Sequence, residues 1–176
     1  MQLEEVIKNG GIAVMLTDTV YGLVCSVDFP DSVKKIYSLK GRENKPGTII
    51  AANAEQLLKM GFSADQIDKA SQFWPGPVSV ILNAPDKLSY LHMGKKSLAV
   101  RIPKPEWLRD ILDQTGPLAT SSANLAGEPT VNTVEQAKKL FGDSVDLYVD
   151  GGDLSNSKPS KIVRVKEDGN VEIIRP

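Results

Sequence analysis

Three cations lie within six residues of the sequence, at Lys40, Arg42 and Lys45, directly after a segment with helical spacing. The formal net charge of the 176-residue chain is only −1, so this cluster is a local surplus of positive charge. A guanidinium is a planar fork and an ammonium a compact charge, and both suit phosphate oxygens. The cluster therefore indicates an anion site in which Lys40 and Arg42 neutralise charge on a phosphoryl group. The alternative is a basic helix C-terminus that complements the helix dipole and binds nothing.

A run of hydroxyl and amide side chains, Thr120-Ser121-Ser122-Ala123-Asn124, follows a strand-like segment late in the chain. Thr17-Asp18-Thr19 follows another such segment, and α/β folds place their ligand sites where strands end. Ser122 and Asn124 are therefore candidate partners for a phosphate or a ribose. The alternative is an ordinary turn in which Ser and Asn bond their own backbone, and composition alone favours it.

Arg101 is the third candidate, because it interrupts an otherwise apolar, strand-like run at 98–102. A guanidinium among buried neighbours needs a negatively charged partner. A substrate carboxylate would serve, and so would a structural salt bridge to Asp or Glu. The sequence does not decide between the two.

Several familiar sites are excluded by what the sequence lacks. It contains neither the Gly-x-x-x-x-Gly-Lys-Ser/Thr phosphate loop nor the Gly-x-Gly-x-x-Gly dinucleotide fingerprint. Cys25 is the only cysteine and His92 the only histidine, so no disulfide and no common zinc site is expected. We predict no metal site built by the protein itself.

Length and composition predict one domain over residues 1–176, because 41% hydrophobic content over this length supports a single core. A sequence pI near 5.9 argues against a protein that coats nucleic acid with its whole surface. No apolar stretch reaches membrane-spanning length, and the N-terminus lacks a basic segment followed by an apolar run. We therefore expect a cytoplasmic protein without membrane contact.

Periodicity mixes helices and strands along the whole chain and predicts an α/β (α+β) fold, a twisted mixed sheet flanked by helices. Capping-box patterns begin helices at Asn53 and at Ser63, the latter running to about Phe73. The segment between the strands at 78–82 and 98–102 reads as a polar loop. Further helices are predicted at 3–8, from about 31, at 105–114 and at 133–141, with strands at 12–16, 48–52 and 147–149 and a terminal hairpin at 161–165 and 171–174.

Six segments in this order resemble the YrdC/TsaC family of L-threonylcarbamoyladenylate synthases. One is Thr17-Asp18-Thr19-Val20-Tyr21-Gly22-Leu23, and a second is Leu39-Lys40-Gly41-Arg42, which resembles the family's Lys-x-Arg signature. The others are Phe73-Trp74-Pro75-Gly76-Pro77, Leu98-Ala99-Val100-Arg101-Ile102-Pro103, Ser121-Ser122-Ala123-Asn124-Leu125-Ala126-Gly127-Glu128-Pro129 and Pro159-Ser160-Lys161-Ile162. Each motif alone is weak, but six in order form a specific signal.

The resemblance implies condensation of L-threonine, bicarbonate or CO2, and ATP to threonylcarbamoyl-AMP and pyrophosphate. The product would feed the N6-threonylcarbamoyl modification of adenosine 37 in tRNA, with separate proteins carrying out the transfer. ATP would be a substrate, with Mg²⁺ expected on its phosphates. Because a carbamate is already an oxygen nucleophile, positioning and charge neutralisation could suffice for attack on the α-phosphorus.

The resemblance also implies a concave basic cavity and roles for twelve residues. Four would surround threonine, namely Thr19, Arg101, Thr120 and Ser160. Eight would surround ATP, namely Lys40, Arg42, Lys45, Ser97, Ser122, Asn124, Thr130 and Arg175, with Lys40 and Arg42 in the catalytic role.

Two departures from the family pattern fall after the signature arginine. Many relatives have a histidine four residues after the proline that corresponds to Pro46, where this chain has Ile50. The segment from Arg42 to Pro46 is also one residue shorter than usual. Two alternative functions are an RNA-binding module without synthase activity, with tRNA or double-stranded RNA as partner, and the carbamoyl-adenylate module of hydrogenase maturation proteins. The latter are much larger chains with zinc-finger and acylphosphatase-like segments, which this sequence lacks.

Overall fold

The computed structural model describes residues 2–41 and 45–176. Within those ranges the chain forms one nine-stranded sheet in the order β7-β1-β2-β6-β3-β5-β4-β8-β9. The strands are β1 Ala13–Leu16, β2 Tyr21–Ser26, β3 Thr48–Ile50, β4 Val78–Asn83, β5 Ser97–Arg101, β6 Leu118–Ser122, β7 Leu147–Tyr148, β8 Lys161–Val165 and β9 Val171–Arg175. The helices are α1 Leu3–Lys8, α2 Pro30–Leu39, α3 Ala54–Met60, α4 Ala64–Ala70, α5 Ser89–His92, α6 Glu106–Thr115 and α7 Val134–Phe141.

The sheet is mixed, as predicted. β3 and β5, β4 and β8, and β1 and β7 pair in parallel, whereas the other neighbouring strands pair in antiparallel fashion. Helices pack on both faces, so the predicted α/β (α+β) class with one mixed sheet flanked by helices is confirmed.

Alternate residues of the central strands enter two separate cores. Ile49, Val100 and Ala119 belong to the larger core, which also contains side chains from α2, α3, α4, α5 and α7. Ile50 and Leu118 belong to the smaller core on the opposite face, which receives α1 and α6. The smaller core covers only part of its face, and the exposed remainder of that face carries the candidate site.

Most predicted elements are confirmed within one or two residues. Asn53 caps α3 as expected, since its Oδ1 accepts from the Gln56 backbone N–H at 3.1 Å. The prediction of a second capping box, at Ser63, was wrong. Ser63 makes no side-chain cap, and the Gln66 Oε1 accepts instead from the Asn83 backbone N–H. The Gln66 side chain therefore bonds to β4 and is not available to close the capping box at the start of α4.

Three other expectations needed correction. β2 was not predicted, because all its residues are buried and the segment shows no alternation. The predicted polar loop between β4 and β5 contains the short helix α5 and a 3₁₀ turn, Asp86–Leu88. The helix expected to reach Phe73 ends at Ala70 and continues as one 3₁₀ turn.

Candidate active site

A polar cavity lies on the partly covered face of the sheet, where the ends of several strands meet the loop between β1 and β2. Seven of its lining residues carry a hydroxyl and two are arginines, and none of the described lining residues is acidic. The lining residues are Thr17, Thr19, Val20, Gly22, Pro46, Gly47, Thr48, Ala99, Arg101, Thr120, Ser121, Ser122, Pro159, Ser160, Ile162 and Arg175. This composition suits an anionic ligand rich in oxygen atoms.

The register of three strands explains why these side chains meet. Thr48 of β3 lies opposite Thr120 of β6 on one side and Ala99 of β5 on the other. Arg101 follows Ala99 by two residues on the same strand and therefore points to the same face. Hydroxyl, small and cationic side chains thus alternate with the apolar residues of the larger core.

Two glycines make room for the cavity wall. A Cβ atom on Gly47 would lie 2.5 Å from the Thr120 carbonyl oxygen, and one on Gly22 would lie 2.7 Å from the Thr120 hydroxyl. Neither separation is tolerable, so both positions require glycine. Tyr37 of α2 holds the backbone at Gly47 in place. Its hydroxyl accepts from the Gly47 N–H at 3.0 Å and donates to the Leu91 carbonyl at 3.1 Å.

Arg101 forms a buried ion pair with Asp18, and the two side chains are only 4% and 3% exposed. Its Nε lies 3.1 Å from both carboxylate oxygens, and its Nη2 lies 2.9 Å from Oδ1. Its Nη1 donates to the Ser79 hydroxyl at 2.8 Å. Of the two partners that the sequence allowed for Arg101, the structure shows the structural salt bridge. Arg101 nevertheless lines the cavity as well.

A chain of hydrogen bonds extends from Arg101 to the C-terminal hairpin. The Ser79 and Ser160 hydroxyls lie 3.0 Å apart. The Ser160 carbonyl accepts from Arg175 through Nε at 2.9 Å and Nη2 at 2.7 Å. The two cavity arginines are thereby held by one network, which fixes their separation before any ligand binds.

Lys40 is fully buried at the end of α2 and does not line the cavity. Its Nζ donates to the Ser122 carbonyl and, at 2.8 Å, to the Asn124 Oδ1, and it lies 3.3 Å from the Ser122 hydroxyl. Asn124 in turn donates to the Leu125 and Glu128 carbonyls. Lys40 therefore braces the turn after β6, and Ser122 is the member of this cluster that reaches the cavity.

A long connection brings Pro159 and Ser160 to the cavity. It leaves β7 at one end of the sheet and reaches β8, the eighth strand in the order. Tyr21 holds it midway, because the tyrosine hydroxyl donates to the Gly152 carbonyl and accepts from the Gly151 N–H, both at 2.8 Å. Burial raises the pKa of Tyr21, so this phenol keeps its proton and both bonds at neutral pH.

Six of the twelve predicted residues line the cavity: Thr19, Arg101, Thr120, Ser122, Ser160 and Arg175. Lys40 and Asn124 lie behind Ser122. Ser97 lines a neighbouring groove with Asn83, Lys95 and Lys96. Lys45 is exposed and Thr130 half-buried, and neither lines the cavity. Arg42 lies outside the described residues.

The cavity and the groove share one face of β5, because Ser97 and Arg101 are four residues apart, about 13 Å along the strand. The cavity has a volume of about 150 Å³. That is below the range of about 300–1,000 Å³ typical of ligand clefts. A nucleotide would therefore have to extend along the open sheet. The expected basic character of the cavity stays a prediction, since Asp18 offsets the charge of Arg101 just behind the wall.

Ile50 lies on the cavity side of the sheet, opposite Arg101 in the register, but is fully buried in the smaller core. The side chain at this position therefore packs against apolar neighbours and offers the cavity no polar group. Ser79 and Thr48 were not predicted. Ser79 interrupts the apolar strand β4 as Arg101 interrupts β5, and that shared signal could have identified it.

Two further side chains named in the sequence analysis take no part in the cavity. Burial raises the pKa of Cys25 to about 12, so its thiol is unreactive at neutral pH. His92 is buried, and its Nδ1 accepts from the Gly94 and Lys96 backbone N–H groups. Across residues 2–41 and 45–176, no cluster of three or more His, Cys, Asp or Glu residues could hold a metal ion.

Comparison with known proteins assigns the family. The family model named Sua5/YciO/YrdC and described as "Telomere recombination" matches residues 5–176. The chain belongs to this family. A putative threonylcarbamoyl-AMP synthase of Methanocaldococcus jannaschii is 32% identical over 173 residues, which is 97% of this chain and 82% of that protein. A threonylcarbamoyl-AMP synthase of Vibrio campbellii is 33% identical over 168 residues, 92% of this chain and 91% of that protein.

Among solved structures, that of P. abyssi Sua5 in complex with L-threonine superposes with a TM-score of 0.83 at 27% identity. The match covers 98% of this chain and 52% of the Sua5 chain, so this chain spans about half of its length. In the described part of this family member, none of the helices is long and apolar enough to cross a membrane.

Proposed function

We propose that this chain is an L-threonylcarbamoyladenylate synthase. The observation that carries the proposal is the cavity, in which two arginines and seven hydroxyl-bearing residues meet at strand ends with no acidic residue in the described wall. Support comes from the Vibrio campbellii relative, a named threonylcarbamoyl-AMP synthase that this chain matches over nine-tenths of both lengths.

In the proposed reaction, the neutral amine of threonine adds to CO2 and gives a carbamate and a proton. A carbamate oxygen then bonds to the α-phosphorus of ATP while the bond to the bridging oxygen breaks and pyrophosphate leaves. No protein nucleophile is needed, so the chain supplies orientation and charge neutralisation. This agrees with a cavity that neither Cys25 nor His92 lines.

We assign threonine to the Arg101 end of the cavity, with Thr19, Thr120 and Ser160 as neighbours. ATP would extend from Ser122 along the open sheet towards Ser97. Arg175, Lys45 and Thr130 complete the proposed ATP site. Arg42 would neutralise phosphate charge, and Lys40 would contribute its positive charge from behind the cavity wall, where its Nζ binds the Ser122 carbonyl and Asn124.

Mg²⁺ would travel with the ATP phosphates, because Mg²⁺ commonly retains waters and substrate oxygens as ligands. This role is compatible with the hydroxyls of the cavity wall. The product would pass to threonylcarbamoyl-transfer proteins that modify adenosine 37 of tRNA, and contact with RNA is part of the same proposal. Because ATP and tRNA meet there, we place the protein in the cytoplasm.

The test is pyrophosphate release from ATP with and without L-threonine and bicarbonate, with the adenylate product identified by mass. Release that requires all three substrates supports the proposal. ATP binding without threonine-dependent release would contradict it and would favour an RNA-binding module. RNA binding by such a module should weaken steeply as salt rises, because phosphate contacts release counterions.

A further inference from the structure

Asp18 holds one edge of the Arg101 guanidinium without entering the cavity. Arg101 lines the cavity wall, whereas Asp18 does not. The Asp18 carboxylate lies along the Nε and Nη2 edge of the guanidinium, at 2.9 to 3.1 Å. A protein carboxylate therefore occupies one edge of an arginine that itself lines the cavity.

Asp18 reaches Arg101 from a distant part of the sheet. It follows β1, and three strands, β2, β6 and β3, lie between β1 and β5 in the sheet order. The turn that carries Asp18 is closed locally, because the Thr17 hydroxyl donates to the Val20 carbonyl at 2.8 Å and accepts from the Thr19 N–H at 3.3 Å. The ion pair therefore fixes this turn against the arginine strand.

The hydrogen atoms of the guanidinium show what remains for a ligand. The group has five N–H hydrogens. Asp18 takes the one on Nε and one on Nη2, and Ser79 takes one on Nη1. One hydrogen on each terminal nitrogen is left without a hydrogen-bond partner among the described residues. These two hydrogens are available to the oxygen atoms of a carboxylate ligand.

We infer that Asp18 is a positioning residue that orients Arg101 for recognition of the threonine carboxylate. The inference rests on the proposed function. Asp18 touches no substrate and acts through the arginine. Its negative charge opposes an anionic ligand, so any benefit it gives to threonine binding must come from orientation.

The role of Asp18 can be tested directly, because loss of its charge and loss of its orienting contact should change the KM for threonine in opposite directions. Replacing Asp18 by Asn removes the negative charge and one of the two acceptors on the Arg101 edge. If orientation dominates, the KM for threonine rises by about tenfold or more, as misplacement of a binding group typically causes. If the carboxylate merely competes with the substrate, the KM for threonine falls.

The experiment compares the wild type, Asp18→Asn and the matched control Asp65→Asn. Asp65 forms an exposed ion pair with Lys69 on α4, away from the cavity. We expect Asp18→Asn to raise the KM for threonine with the KM for ATP changed less than twofold. Asp65→Asn should leave both unchanged. Inhibition by L-threoninol, which lacks the carboxylate, should not weaken in Asp18→Asn, although a general loss of site structure would weaken it.

The outcomes separate this inference from the proposed function. A wild-type protein without threonine-dependent pyrophosphate release overturns both. An active wild type together with an unchanged or lower threonine KM in Asp18→Asn overturns the positioning role alone. If Asp18→Asn does not fold, Asp18→Glu keeps the charge but lengthens the side chain by one methylene. A raised threonine KM in Asp18→Glu supports positioning, and an unchanged KM contradicts it.

Discussion

The two faces of the sheet are built from the same strands but serve different ends. On the covered face, Ile49, Val100 and Ala119 pack into the larger core beneath α2, α3, α4, α5 and α7. On the other face, their neighbours Thr48, Arg101 and Thr120 line the cavity. One residue along a strand therefore separates a position that packs into the core from a position that lines the cavity.

The difference shows how a site can lie within a well-packed sheet. Hydroxyl and guanidinium groups are costly to bury unless they have hydrogen-bond partners. Asp18, Ser79 and Ser160 supply such partners at and behind the cavity wall, so the Arg101 guanidinium is already hydrogen-bonded before substrate binds. Substitutions in the larger core should consequently lower stability alone, whereas substitutions in the cavity wall should also change substrate binding.

The largest effect is expected from Arg101→Ala. The free energy of unfolding should fall by about 3–5 kcal/mol, because the buried Asp18 carboxylate loses its partner. The protein that remains folded should show a raised KM for threonine. Thermal denaturation and initial-rate kinetics below the transition measure the two effects. An unchanged threonine KM would count against carboxylate recognition at Arg101.

Lys40→Ala should lower turnover by about 10²-fold or more, as is typical when a charge partner of the transition state is lost. Arg42→Ala is expected to act in the same way. Lys34→Ala is the control, since Lys34 lies on the same helix as an exposed residue paired with Asp31. Pyrophosphate release measures the effect. A folded Lys40→Ala protein with wild-type turnover would remove this residue from the mechanism.

Val100→Ala tests the covered face one residue away from Arg101. Val100 is fully buried, and loss of two methyl groups should reduce the free energy of unfolding by about 2 kcal/mol. Because Val100 points away from the cavity, the KM for threonine should stay at the wild-type value. Urea denaturation and kinetics measure these quantities. A shifted threonine KM would show that the two faces are coupled more closely than their separate cores indicate.

The smallest effect at neutral pH concerns the thiol in the larger core, whose contribution to stability changes only at alkaline pH. Burial raises the pKa of Cys25 from 9.0 to about 12. The folded state therefore keeps a proton that the unfolded state loses above pH 9, so stability is complete below pH 9 and declines as pH rises towards 12. The slope for this group is about 1.4 kcal/mol per pH unit.

The measurement is the difference in unfolding free energy between the wild type and Cys25→Ala as a function of pH, which cancels the other titrating groups. The wild type should lose its advantage progressively above pH 9. A difference that is independent of pH would show that the thiol is accessible to water in the folded protein. Thiol labelling at pH 8 should likewise require denaturant.

The features that the sequence predicted best are those set by residues close together in the chain. The α/β (α+β) class, most strands and helices, and the Asn53 cap follow from periodicity and capping residues. Six of the twelve predicted site residues line one cavity, because strand-end polar residues in such folds point to a common edge. Residue types and spacing indicated an anion site, and the resemblance to a family assigned the individual residues to threonine or to ATP.

Tertiary structure decided what depends on partners distant in sequence. Asp18 and Arg101 are 83 residues apart, and only the sheet order brings them together. The sequence placed Lys40 in a cluster of cations suited to a phosphate, whereas the structure buries it against Ser122 and Asn124. The sequence determined which groups this protein has for binding an anion and on which face of each strand they lie. Which of them meet the ligand and which are held by one another depends on long-range contacts, because a buried charge must find its partner wherever the fold places it.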